Sequence, residues 1–385
     1  MALNQMIVVL NKYDTFLQVL THPIIEWRSR QRKLVFQKRI PFIWCFNVFV
    51  AFGLHSVTNV FLLLRKLNGC ETLSPLPVLM VHIILLFLWC YNFAVGVGMM
   101  IHGEEYVSGW NLLLNEYTKL AGKGPKSLDL FWTAMSGMIY QFALFPFILV
   151  IGALFLKLDP LLRILEMMPP LTTPCYLAFY SITVYVIVAT HFEGCRLYPL
   201  PVIVSFSLCK MLTGLILPLH LRRNRYRLPV MVTQYLKLSI ILEQCLRFSE
   251  FLIAVLMLIA MCATVLFAFV TIRMYDHFPV WFYSFFPSVN VFVAVFGNFG
   301  LGLGIGVRNE SERVLRIWRG WLNEVLAGRE RGIMRRRLRS LRAMGFGGRF
   351  IYLSMYKLEK GIRIKYLDKV VIYTINLLLG VPKFD

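Results

Sequence analysis

The sequence predicts an all-α integral membrane protein with seven transmembrane helices, a cytoplasmic N-terminus, an extracellular C-terminus and extended cytoplasmic helices that form an anchor region. Three observations predict it. Of 385 residues, 58% are hydrophobic and only 16% charged, with a mean hydropathy of +0.65, outside the range of soluble domains. The apolar residues gather in runs near the ~20 residues that a helix needs to cross the hydrocarbon core. The formal charge of +21 lies mostly between those runs, and basic residues collect in loops that stay inside.

Residues 1–40 form a cytoplasmic segment, because Lys12, Arg28, Arg30, Arg32, Lys33, Lys38 and Arg39 outnumber Asp14 and Glu26. The short apolar run before Lys12 lacks a small-residue cleavage pattern, so no signal peptide is expected. Residues 41–306 carry spans one to six. Pro41–Leu64 and Leu76–Ile101 are the first two, followed by a cytoplasmic loop, "GEEYVSGWNLLLNEYTKLAGKGPKS". Leu130–Leu156 is the third, and "KLDPLLRILEMMPP" is an outer loop. Leu171–Thr190 and Pro199–Leu219, split by "HFEGCRLYP", count as one long, broken fourth crossing. Two full crossings would place "LRRNRYRLP" and all later arginines outside, against the charge rule. Phe251–Ile272 and Val280–Gly306 are the fifth and sixth. Residues 307–365 form a basic cytoplasmic segment, and 366–385 hold a short final span, "VVIYTINLLLGV", with an outer tail.

Within the basic segment, "RGIMRRRLRSLR" (Arg331 to Arg342) contains no acid. Either nucleic acid or an anionic membrane face could balance such a block. No soluble fold can be carved from the chain, which excludes nucleic acid and leaves membrane lipid, at about 1 kcal/mol per base near the surface. Upstream, "SERVLRIWRGWLNEVL" places Val314, Leu315, Trp318, Leu322, Val325 and Leu326 on one helical face. "VMVTQYLKLSIILEQCLRFSEFL" is similar, and the two helices are expected to pack together below the membrane.

"GNFGLGLGIG" imitates a nucleotide loop but ends an apolar helix, where Gly300, Gly302, Gly304 and Gly306 suit close helix packing. No HExxH, GxSxG or paired-acid constellation occurs, so no enzyme is expected. Without a CxxC pair, no metal and no cofactor are expected either. Cys70 and Cys175 fall on the same outer side, and whether they pair stays open. His82, Tyr176, Tyr180, Trp281, Tyr283 and Asn290 fall in the outer halves of spans two, four and six, with Tyr140 and Gln141 near mid-membrane on span three. An aromatic cavity with a few polar anchors is what a small organic ligand needs.

An inside N-terminus with seven crossings is opposite in hand to the G-protein-coupled receptors, and neither DRY nor NPxxY is present. With its basic N-terminus, broken fourth span, long basic segment after the sixth and short final "KVVIYTINLLLG", the chain resembles the arthropod seven-transmembrane chemoreceptor superfamily of gustatory and odorant receptors, as a divergent member. The resemblance implies a plasma-membrane, ligand-gated non-selective cation channel, assembled as a homo- or hetero-tetramer with related subunits. It also implies a pore lined by the last helix, here through Tyr373, Thr374, Asn376, Leu377 and Leu378. The family's Thr-Tyr followed by Gln-Phe is replaced by Tyr373-Thr374 with no Gln-Phe. A G-protein-coupled receptor is the alternative. A transporter, which should show paired broken spans in matching halves, is a further one.

Overall fold

The computed structural model describes residues 2–17, 22–39, 41–68, 76–120, 130–168, 172–221, 228–325, 328–350 and 353–381. Helix α1 (Ala2–Leu17) is amphipathic. Met6, Val9, Leu10, Tyr13 and Leu17 recur at three- and four-residue spacing and are buried. A hairpin follows, β1 (Ile25–Arg28) antiparallel to β2 (Lys33–Phe36) with Ile25 opposite Phe36. Its turn places Arg32 at φ 48°. Next, α2 (Phe42–Cys45), a π-helical stretch at Phe46–Ala51 and α3 (Phe52–Leu67) run on as one apolar helix.

Three helices exceed the membrane. The helices α4 (Leu76–Leu120), α9 (Leu228–Arg273) and α11 (Phe285–Val325) have 45, 46 and 41 residues, or about 60–70 Å at 1.5 Å per residue. The hydrocarbon core is only about 30 Å thick. Each is therefore about twice as long as a crossing needs. Between them lie α5 (Leu130–Phe155), the short α6 (Pro160–Met167), α7 (Thr173–Leu197) and α8 (Pro199–Leu221). A single turn residue, Tyr198, separates α7 from α8, and Thr173–Leu219 forms one apolar stretch of 47 residues. The remaining elements are α10 (Val280–Tyr283), α12 (Gly328–Ser340), β3 (Gly347–Phe350), β4 (Leu353–Lys357) and α13 (Lys360–Gly380). Among the described residues, six helices are long and apolar enough to cross a membrane.

Several sequence expectations change. "GEEYVSGWNLLLNEYTKL" is no loop but the continuation of α4, because its apolar Tyr106, Val107, Trp110, Leu113 and Leu114 keep helical spacing and are buried. The outer "KLDPLLRILEMMPP" contains α6, with Asp159 as its N-cap and Pro160 at its first turn. Two small hairpins add to the helical fold. β3 pairs with β4 and packs on α9. The last helix starts ten residues before the apolar run, at Lys360.

At the basic end, α9 and α11 do pack together. Tyr235 Oη donates to the Arg342 carbonyl at 2.9 Å, Ser311 Oγ bonds to the same hydroxyl, and Met344 N donates to Ser311 Oγ at 2.7 Å. Trp318 lies edge-on to Tyr235 at 5.7 Å. These bonds hold α12 and the chain after it against both helices. Met334 and Leu338, one turn apart on α12, are buried, while Arg335, Arg336, Arg337, Arg339 and Arg342 remain exposed.

Candidate functional site

Five helices (α4, α5, α7, α9 and α11) enclose a cavity of about 70 Å³. Its wall is aromatic. Phe142 stacks on Tyr198 at 5.0 Å and meets Phe292 edge-on at 5.3 Å, while Phe145 meets Phe285 at 4.9 Å. Such offset and T-shaped contacts are what ring quadrupoles favour. Room remains because Gly194, Ala260 and Ala263 stand where larger side chains would fill it. Asn92, Thr190 and His191 bring polar atoms to this wall, and Trp89, also in it, packs its ring 4.5 Å from that of His55.

Tyr198 and Phe292 also line a second cavity of about 100 Å³, between α8, α9 and α11. It extends past Gly297, Gly300 and Gly304 to Leu358 and to Tyr366 of α13. The close approach needs glycine. A Cβ at Gly300 would lie 2.6 Å from Phe206 Cε1, and one at Gly304 would lie 2.6 Å from Leu358 Cδ1. Gly302 and Gly306 face open space instead, so only one of the two glycine pairs makes close contact within the protomer. Helix α13 rests mainly on α9. Near its C-terminus Arg273 Nη2 donates to the Leu378 carbonyl at 2.6 Å, a cation where the helix dipole favours one.

No family model matches the chain, and no curated protein matches it by sequence. Its structure does find counterparts. The insect olfactory receptor OR5 from Machilis hrabei in complex with eugenol matches 99% of this chain and 98% of its own, with a TM-score of 0.58 at 11% identity. The structure of the same receptor described without eugenol matches 98% and 97%, with a TM-score of 0.51 at 12% identity. The fold is that of an insect olfactory receptor. The likeness covers nearly the whole of both chains.

Within this olfactory-receptor fold, none of the eight pocket candidates from the sequence lines the aromatic cavity. His82 is buried on α4, its Nε2 donating to the Leu158 carbonyl at 3.0 Å. Tyr140 lies on the other side of α5, with Phe16 5.3 Å away and Lys12 Nζ 4.9 Å from its ring centre, and Gln141 is half-buried beside it. Tyr176 and Tyr180 stack on each other on the exposed face of α7. Trp281 is exposed on α10, and Tyr283 Oη donates to the Thr271 carbonyl at 2.7 Å. Asn290 is half-buried, its Oδ1 without a partner among the described residues.

Of the pore candidates, Tyr373 and Asn376 are exposed, Thr374 donates to the Val370 carbonyl at 2.8 Å, and Leu377 and Leu378 pack against the core. Cys175 is exposed on α7, and Cys70 lies outside the described residues. Among the described residues no group of three His, Cys, Asp or Glu side chains could hold a metal ion. The polar wall that sequence reading missed was half visible: Asn92 is a polar residue inside an apolar span, but His191 fell in the stretch read as the break of span four.

Proposed function

We propose that the protein is a chemosensory receptor acting as a ligand-gated non-selective cation channel for small organic tastants or odorants. The observation that carries this is the end-to-end likeness to the olfactory receptor OR5. The protein works in the plasma membrane as a homo- or hetero-tetramer with related subunits, with its N-terminus inside and its C-terminus outside. Helix α13 is the seventh crossing. Its apolar part, Val370 to Gly380, gives only about 16 Å at 1.5 Å per residue, roughly half the hydrocarbon core, which suits a helix shielded from lipid around a pore. Lys360, Arg363, Lys365 and Lys369 stay toward the cytoplasm.

Support for a pore role comes from exposure. Ile364, Val371, Ile375 and Leu379 of α13 are exposed beside Tyr373 and Asn376. One protomer covers the helix mainly on its α9 side, so further copies cover the apolar face and leave the polar groups to a water-filled path. The ligand occupies the aromatic cavity. An aromatic wall suits an aromatic ligand, the chemical class of the eugenol named with the compared receptor. Binding reaches α13 through Tyr198 and Phe292, which separate the two cavities, and then through Tyr366.

The test is current through membranes that contain only the purified protein. Ligand-evoked cation current without any G protein is expected. Thr374→Leu and Asn376→Leu should change permeability ratios at near-normal surface expression, and unchanged ratios in both would remove α13 from the pore.

A further inference from the structure

The aromatic cavity is polar at one wall only, and that wall is built by two helices meeting at a glycine. A Cβ on Gly194 of α7 would lie 2.8 Å from Asn92 Nδ2 of α4, so the Asn92 amide sits in the notch that Gly194 leaves. His191 is one turn earlier on the same face of α7, and both His191 and Asn92 line the cavity. Asn92 is 6% exposed and His191 5%.

The hydrogen-bond accounting leaves this wall incomplete. His191 Nδ1 lies 2.8 Å from the Ile187 carbonyl, which only accepts. The ring hydrogen of the neutral imidazole is therefore at Nδ1, and Nε2 keeps a lone pair. Asn92 Oδ1 has no partner among the described residues. Thr190 differs, because its hydroxyl donates to the Val186 and Ile187 carbonyls at 2.8 and 3.0 Å. A buried polar group left unpaired is costly, and a ligand that pairs it recovers that cost.

We infer that Asn92 and His191 form a recognition subsite for a hydroxyl group, and that the ligand is a small aromatic or alicyclic molecule carrying one. This rests on the reading of the cavity as the ligand site. A hydroxyl donates one hydrogen bond and accepts two. It gives its hydrogen to His191 Nε2 and accepts one from the Asn92 Nδ2 amide beside Gly194. A hydrocarbon leaves both residues unpaired. An ammonium group is also disfavoured, since no carboxylate lines the cavity and an unpaired charge among apolar walls is costly.

The test compares p-cresol with p-xylene, which differ only in a hydroxyl for a methyl group. Apparent Kd is read on the full-length purified protein by quenching of tryptophan fluorescence, since Trp89 is part of the wall. In a purely apolar cavity p-xylene binds more tightly, because the hydroxyl loses its water without compensation. The subsite reverses that order in the wild type. Asn92→Leu and His191→Phe should each move the affinity ratio at least tenfold back toward p-xylene. A wild type that prefers p-xylene, or a ratio unchanged within twofold in both variants, overturns the hydroxyl subsite while leaving the cavity as a ligand site. Failure of both probes to bind the wild type overturns the subsite together with the cavity reading.

Discussion

Replacing Asp159 tests whether the end of the helix bundle around α6 is held by one buried polar junction. Asp159 and His55 have no exposed side-chain surface. Asp159 Oδ1 accepts the Leu161 N–H at 2.9 Å and so caps α6, and Oδ2 lies 3.2 Å from His55 Nε2. His55 Nδ1 in turn lies 3.0 Å from the Ala51 carbonyl. Both ring nitrogens therefore lie within hydrogen-bond reach of an oxygen. Asp159→Ala loses a cap worth about 1 kcal/mol and leaves a buried ring nitrogen without its partner at about 1–3 kcal/mol, together about 2–4 kcal/mol.

Asp159→Asn keeps every bond. Its Oδ1 takes the Leu161 N–H, and its Nδ2 donates to His55 Nε2. Exchanging the carboxylate for an amide of the same shape keeps both hydrogen bonds and costs within about 1 kcal/mol. Thermal melting of the purified protein in detergent reads the difference. At about 2 °C per kcal/mol, the alanine variant melts about 4–8 °C lower and the asparagine variant less than about 2 °C lower. An alanine variant within 1 °C of the wild type, or an asparagine variant as damaged as alanine, would refute the account of this junction.

Two further predictions concern packing and topology. Gly300→Ala should lower the melting temperature, because overpacking against Phe206 costs about 1–3 kcal/mol against a helix-propensity gain of about 1 kcal/mol. Gly302→Ala, which meets open space, should be neutral or stabilising, and equal losses at the two sites would contradict the packing. A sequon placed on a polar extension after Asp385 should gain a glycan, whereas one placed before Met1 should not. The native sequon at Asn309, whose Ser311 is buried at 0% exposure, should stay bare. The reverse pattern of glycans would invert the proposed orientation.

Much of the fold was legible because membrane crossing writes a long signal. Charge bookkeeping alone fused Leu171–Thr190 with Pro199–Leu219, and the structure joins α7 to α8 through one turn residue. Amphipathic spacing around Trp318 likewise placed a packed helix beyond the apolar run, where Trp318 meets Tyr235. The continuation of α4 was lost because Gly103, Glu104 and Glu105 look like the start of a loop. A 45-residue helix needs only that the apolar face behind such residues continue. The cavity was hardest to read, since sidedness gives the half of the membrane in which a residue lies but not the face of the helix it occupies. His82 and Tyr140 stand on the right helices and the wrong faces, whereas Asn92 and His191 meet only because Gly194 lets α4 and α7 close together.

The central claim is that a small organic ligand in the aromatic cavity opens a cation path through this protein alone. Ala263, buried at 6% exposure, lines that cavity, and Ala263→Phe fills it. In planar bilayers holding only the purified protein, a panel of small aromatic alcohols should evoke cation current in the wild type. The Ala263→Phe variant, incorporated at equal density, should give little or none. Ligand-evoked current that is undiminished in the filled variant would contradict the cavity as the site, and a wild type that binds such ligands yet passes no current would contradict a channel formed by this chain alone.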